Sequence, residues 1–448
     1  MAITADELSA GLARVCERAG LGELAGAPQR LTGGAVMESW RFGAGGDAFV
    51  LRRAPSLDFM QGRPYGHSTE AALIEAARAK GVTAPEVVAV LEEGDGLGSG
   101  FVMRALPGTA DPKVVLTCDD PAGLLRQAAR DLARIHSLRQ AAVPAGVPLI
   151  DYAEAIADLK AQFRDAGGDR PIIALGLKWL EDHCPEAIEP VLNHGDYRMG
   201  NLLVEGSRLT GVLDWELAHF GDPHEDLAFG CMAVWRFARY DRPALGLGSI
   251  EDYIAAYEAE SGARIDAARL RFWTVYRTVW WALGCLRMAA QWRSGADRML
   301  ERIVISRRTS EQELDLLLLL EEDAPEAERA LRAEPLTEPE PERGEATTGE
   351  IAAAIAEWLA TLKPRLEGHD RFQLAVARNA LGMIARDHDI APRVSEPDLA
   401  EALLEGAESL ASPGLLRELK EAALEKLAAD VPKYPALGQA WAKWVGED

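Results

Sequence analysis

The stretch His194–Asn201, HGDYRMGN, sets an aspartate and an asparagine five residues apart, and a second aspartate follows at Asp214 in GVLDWE. Mg2+ takes hard oxygen donors and keeps several of its waters, so one carboxylate and one amide oxygen suffice where phosphate completes the shell. Asn201 and Asp214 offer those two groups. Asp196 offers another carboxylate in the same loop, free to align a hydroxyl or accept its proton. Phosphoryl transfer from ATP asks these things of a protein: a metal held against the phosphates, an attacking hydroxyl oriented, and developing charge neutralised. A solvated turn with a capping aspartate would explain Asp196 alone. It does not explain Asp214 or the GDP at Gly221–Pro223.

Such groups have to be set at the ends of short, stiff elements. NLLVEG and LTGVLDWE are apolar runs around the turn EGSR, which predicts a hairpin directly after the motif. Asp196 and Asn201 then sit on the loop before one strand, and Asp214 ends the next. The order D-x4-N, hairpin, D is the protein-kinase arrangement of catalytic Asp, metal Asn and metal Asp. Upstream, from about Gln29 to Arg104, SWRFG and AFVLRR flank the turn GAGGD as a hairpin. TEAALIEAARAKG predicts a helix stopped by Gly81, and APEVVAVLEEGDGLGSGFVMRAL gives two more strands. The order β-β-α-β-β makes a small antiparallel sheet with one helix. From Pro107 to about Leu320 the pattern is mostly helical, as in PAGLLRQAARDLARIHSL and ELDLLLLLEE.

The chain has 448 residues and a net charge of −23. So acidic a surface argues against a nucleic-acid partner or an anionic membrane, both of which need a cationic face. The five cysteines are scattered without a CxxC pair, which fits a reduced, cytoplasmic setting and no zinc site. The opening residues are read as a helix rather than a signal peptide, with Thr4 and Glu7 as a capping box and Leu8, Leu12 and Val15 on one face. The apolar run from Val279 to Leu286 is too short to span a bilayer. Residues 321–345 hold ten acids, three arginines and four prolines, predicting a self-repelling, extended linker. Four amphipathic helices follow, with Ile351, Ile355, Trp358 and Leu362 at helical spacing. Each side of the linker has its own apolar pattern, so a cut there should release a folded domain of about 320 residues.

HGDYRMGNLLV followed by GVLDWELAHFGDPHEDLA resembles the aminoglycoside phosphotransferase (choline-kinase-like) family, whose motifs run HGDxxxxN, then DW or DF, then GDPxxDLA. DWELAHFGDP is most similar to phosphotransferase domains fused to, or encoded beside, acyl-CoA dehydrogenases. The resemblance covers about residues 25 to 320 and implies an α+β, protein-kinase-like two-lobed fold. The N-lobe, a small antiparallel sheet with the N-terminal helix, takes 1–105. A mainly helical C-lobe with the catalytic loop takes 106–320, the acidic Pro-rich linker 321–346, and a C-terminal helical bundle 347–448. It further implies ATP and Mg2+ as cofactors, Asp196 as catalytic base, and Asn201 and Asp214 as metal ligands. His194, Asp222 and Asp226 match residues that support the loop and the C-lobe. Arg198 and Glu216 could line the substrate site or form surface ion pairs.

In the N-lobe, LTGGAVMESW resembles the family's Gly-rich loop, so Gly33 and Gly34 would let backbone amides approach phosphate. Val36 and Met37 stand where related loops often carry Ser and Asn. Arg52 stands at the position of the phosphate-binding Lys, and a guanidinium holds phosphate oxygens bidentately. Glu70 matches its partner carboxylate, with Glu75 the rival if the register slips. The adenine-binding hinge falls at Met103, Arg104 and Ala105. The acceptor implied is a small-molecule hydroxyl, a hydroxy acid or hydroxyacyl-CoA, with an aminoglycoside or similar antibiotic as the alternative. Arg236, Arg239, Arg277, Arg287 and Arg293 lie in the helices of the family's acceptor side and could hold an anion. A nucleotide-binding pseudokinase acting on a protein partner through the helical bundle is the other reading. The intact Asp196, Asn201 and Asp214 weigh against it.

Overall fold

The computed structural model describes residues 3–31, 37–334, 346–392 and 395–446. Its first helix, Ala5–Ala19, begins as expected: the Glu7 N–H donates to the Thr4 hydroxyl and the Thr4 N–H to the Glu7 carboxylate. Leu8, Leu12, Val15 and Cys16 on its buried face pack against Phe42, Phe49, Leu51 and Val102. Those residues come from a five-stranded antiparallel sheet of β1 (Leu24–Arg30), β2 (Glu38–Ala44), β3 (Asp47–Arg53), β4 (Val87–Val90) and β5 (Gly100–Arg104). Its order is β1-β2-β3-β5-β4. The β2–β3 hairpin closes through Gly45 and Gly46, whose φ angles of 57° and 93° suit a two-residue turn with both positions left-handed. This is the sheet the sequence predicts, with one strand more. β1, LAGAPQR, has no alternating apolar pattern, contains a proline and pairs with β2 through an irregular register, as an edge strand can.

The helix His67–Ala79 follows β3, and the helix Pro121–His136 lies in the second core with Leu73, Phe101, Leu192, Val212 and Phe220. The hairpin predicted after the motif is β7 (Leu202–Glu205) with β8 (Arg208–Val212). It is flanked in sequence by a pair that is not evident there, β6 (Val191–Asn193) and β9 (His219–Gly221), joined antiparallel with Asn193 opposite His219. Packing divides the chain into two units. The first holds residues 1–151, 187–231 and 235–270 and contains all nine strands of the described residues.

The second unit holds residues 152–186, 232–234 and 271–448 and is helical. It includes Tyr152–Asp165, Pro171–Asp182, most of Ala267–Ser294, Leu300–Ser306 and Thr309–Leu320. It also includes the four expected C-terminal helices, Thr348–Ala360, Gly368–Ile390, Pro397–Glu405 and Leu415–Asp430, and a fifth, Pro435–Trp444. Packing does not break at 321. Glu321 is buried and accepts from Trp444 Nε1 at 2.9 Å and Lys420 Nζ at 3.0 Å, and Asp323 accepts from Trp179 Nε1 at 2.7 Å. Glu326–Arg329 is a helical turn, and the Ala333 N–H donates to the Trp444 carbonyl. The start of the acidic stretch is therefore packed rather than extended, because its carboxylates find partners that composition cannot disclose. Residues 335–345 lie outside the described residues. Ile351, Ile355 and Trp358, the stripe that marked the helix Thr348–Ala360, are exposed. Among the described residues no helix is long and apolar enough to cross a membrane.

Candidate active site

The loop that carries Asp196 is hung from one buried carboxylate. After β6 the chain turns at Gly195, φ 81°, where an added Cβ would stand 2.2 Å from the Leu217 carbonyl oxygen, so only glycine fits. The N–H groups of His194 and Gly195 donate to the two oxygens of Asp226, at 2.6 and 2.9 Å. Asp226 lies on the helix Pro223–Cys231 and is wholly buried. Burial opposes its ionisation, but the bond from His136 Nε2, at 3.2 Å, holds its carboxyl down at about 2. His136 in turn meets the Tyr257 hydroxyl through Nδ1 at 2.7 Å. Asp222 accepts the His224 N–H and pairs with Arg269 at 2.7 Å. Both acids stand where the resemblance put bracing groups.

His194 links the loop to the strand behind it. Its Nδ1 accepts the Asp196 N–H at 3.2 Å, which leaves Nε2–H to donate to the Leu213 carbonyl at 3.1 Å. The ring is therefore the neutral tautomer, and burial keeps its pKa below the ordinary value. The Leu213 N–H donates to the Asn201 carbonyl at 2.9 Å. Asp214, the next residue, has φ 70°, a left-handed conformation that costs a non-glycine residue energy and is typical of functional sites.

Asp196 Oδ1 accepts from Arg198 Nε at 2.8 Å and Oδ2 from Asn201 Nδ2 at 2.6 Å. Burial raises the Asp196 pKa to about 6, with Asp214 pushing the same way and Arg198 opposing. The Asn201 amide spends its nitrogen on Asp196, so its Oδ1 is left without a hydrogen bond among the described residues. A carboxylate and a free amide oxygen, each tied by backbone to Leu213, are a donor set that suits Mg2+. Among the described residues no cluster of three or more His, Cys, Asp or Glu is placed to hold a metal.

Arg52 on β3 joins the sheet to this loop. Its Nη2 lies 2.5 Å from Asp214 Oδ1 and 2.8 Å from Glu216 Oε2, and its Nε 3.2 Å from Glu70 Oε1. Burial would weaken the charge, but three carboxylates raise its pKa above the ordinary range. Burial also raises Glu70, to about 7, against the pull of Arg52. Glu75 is elsewhere, holding Arg78 at 3.0 Å and the Val87 N–H at 2.8 Å. Three neighbours were not found from sequence. Arg63 binds Glu216 at 3.1 Å, the Tyr65 hydroxyl lies 2.8 Å from the Trp215 carbonyl oxygen, and His136 supports Asp226.

The phosphotransferase enzyme family (APH) matches residues 28–273, more than half of the chain. The chain belongs to this family. Among curated proteins, this chain is 28% identical over 229 residues to mouse (Mus musculus) acyl-CoA dehydrogenase family member 10, a match covering 46% of this chain and 21% of that protein. It is 28% identical over 219 residues to the hygromycin-B 4-O-kinase of Escherichia coli, covering 44% of this chain and 60% of that protein. The chain thus spans about a fifth of the mouse relative. A Ralstonia eutropha crystal structure, named as a candidate aminoglycoside phosphotransferase, superposes with a TM-score of 0.57 at 20% identity. It covers 70% of this chain and 98% of that one. That likeness establishes the kinase-like fold.

Gly33, Gly34 and Val36 lie outside the described residues, and Met37 is buried. In the expected hinge, the Arg104 N–H donates to the Glu86 carbonyl and the Ala105 N–H to that of Ala48, so the sheet itself uses both donors. The N–H of Leu106, the next residue, has no such bond among the described residues. Of the five arginines, Arg236 donates to the Cys231 carbonyl and Arg239 pairs with Asp241. Arg277 is buried under the Trp280 ring. Arg287 and Arg293 line a cavity of the helical unit.

Proposed function

We propose that this phosphotransferase transfers the γ-phosphate of ATP to the hydroxyl of a small molecule. The reading rests chiefly on one observation: Asp196 is bonded to an asparagine whose amide oxygen has no partner among the described residues, and the backbone of that asparagine is bonded to the residue preceding Asp214. Asn201 and Asp214 would hold Mg2+, which when bound neutralises phosphate charge. Asp196 accepts the acceptor's O–H proton as that oxygen bonds to the γ-phosphorus and the bond to the β,γ-bridging oxygen breaks, leaving ADP. Its raised pKa suits a base working near neutrality. Arg52, braced by Glu70, turns its charge from Asp214 and Glu216 towards phosphate oxygens. The Leu106 N–H is the donor available to the adenine edge.

For the acceptor we favour an anionic hydroxy acid or hydroxyacyl-CoA, supported by similarity to acyl-CoA dehydrogenase family members. An aminoglycoside is the second reading, supported by the similarity to hygromycin-B 4-O-kinase. The test is acceptor-dependent ADP release, measured with Mg2+ and ATP against 3-hydroxyacyl-CoAs, hydroxy acids, hygromycin B, kanamycin and choline. Turnover with hydroxyacyl-CoAs or hydroxy acids is expected. Turnover with hygromycin B alone would replace the acceptor and keep the reaction. ADP release that no acceptor stimulates and that Asp196→Asn does not change would remove the reaction itself.

A further inference from the structure

The helical unit contains a cavity of about 480 Å³ lined by none of Asp196, Asn201, Asp214 and Arg52. Five cations line it, Arg170, Arg287, Arg293, Arg307 and Lys426, in a chain whose net charge is −23. Three form the deeper wall. Arg170 is buried and held bidentately by Glu313. Lys426 is buried and pairs with Asp430 at 2.9 Å, and Arg307 shares that same Asp430 while reaching Asp387. One buried carboxylate thus serves two cations. Burial holds the Lys426 pKa below its ordinary value, and Arg307 and Arg170 press it the same way against Asp430. Arg287 and Arg293, from the helix Ala267–Ser294, are exposed and form no ion pair among the described residues. Arg287 makes only a 3.3 Å bond to Gln162. Asp165 and Asp169 also line the cavity, and neither pairs with them.

We infer that this cavity binds a small organic phosphate. Its volume lies in the range of small-molecule sites and exceeds that of a bare ion. Guanidinium groups match phosphate oxygens bidentately, and the two unpaired arginines can bind one without breaking a pair. The wall behind them is charge-matched, Arg170, Arg307 and Lys426 against Glu313, Asp387 and Asp430, so the attraction for a phosphate comes from Arg287 and Arg293. This inference is independent of the catalytic reading, since it uses neither Asp196 nor Asp214.

The probe is ribose 5-phosphate, titrated calorimetrically into the full chain with ribose as the neutral control. Three proteins are compared: the wild type, the double variant Arg287→Gln/Arg293→Gln, and Arg52→Ala. Circular dichroism melts establish that each is folded, and both cavity positions are exposed. Ribose 5-phosphate but not ribose should bind the wild type and Arg52→Ala alike, more weakly as salt rises, and about tenfold or more weakly to the double variant. No binding to the wild type, or equal binding to the double variant, would overturn the site. Binding lost in Arg52→Ala but kept in the double variant would place the phosphate at the catalytic loop and overturn it too.

Discussion

Asp196 makes two side-chain bonds, to Arg198 and Asn201, and a substitution that keeps its shape separates holding the loop from accepting a proton. Asp196→Asn should bind ATP as the parent does and lose turnover by roughly 10²–10⁴-fold, the usual worth of a positioned general base. Turnover within threefold of the parent would remove the assignment. Asp214 is the only carboxylate assigned to the metal, and it occupies a strained, left-handed backbone position. Asp214→Ala should abolish the tightening of nucleotide binding by Mg2+ in calorimetry with and without the metal. It also removes one of the three carboxylates around Arg52, so metal-free ATP should bind as well or better. An unchanged Mg2+ effect would exclude Asp214 as a ligand.

The elements around these residues can be tested through Asp226, whose two oxygens hold the catalytic loop by its backbone. Its carboxyl is held at about 2, below the ordinary 3.8, so ionised Asp226 contributes stability at pH values above 3.8 and loses it as pH falls towards 2. The contribution at neutral pH is roughly 2 kcal/mol. Asp226→Asn should therefore unfold in less urea than the parent between pH 5 and 8, and the gap should narrow below pH 4. A gap as wide at pH 3 as at pH 7 would mean that charge is not what holds the loop. This brace marks where the sequence stops being legible. Asp196, Asn201, the β7–β8 hairpin and Asp214 could be read because their spacing is local. Glu70 is placed by the family resemblance, as the partner carboxylate of Arg52 with Glu75 as the rival, and it lies buried in the first turn of the helix from His67. Arg63, Tyr65 and His136 could not, because their partners lie 153, 150 and 90 residues away in the chain. β6 and β9, three residues each, are too short to show an alternating period.

At the scale of the whole molecule, the acidic stretch suggests a separable C-terminal bundle, and the packing of the helical unit argues otherwise. The helix Thr309–Leu320 is almost wholly buried, polar residues included, and packs with Leu415–Asp430 and Pro435–Trp444. Asp315 accepts from the Tyr434 hydroxyl at 2.6 Å, and Glu321 from Lys420 and Trp444. Removing the C-terminal helices would bare Leu314, Leu317 and Leu320 and leave Glu321 without its two lysines, Lys420 and Lys443, and breaking a buried ion pair costs roughly 3–5 kcal/mol. Limited proteolysis should still cut first between residues 335 and 345, where the sequence is acidic and proline-rich without apolar anchors. The two fragments should nonetheless elute together on gel filtration in native buffer, because the shared core rather than the covalent link joins them. A chain of residues 1–334 expressed alone should aggregate or melt without cooperativity. Separation of the nicked fragments, with 1–334 melting cooperatively at the parent's temperature, would restore the boundary to the acidic stretch and make the C-terminal helices an independent bundle.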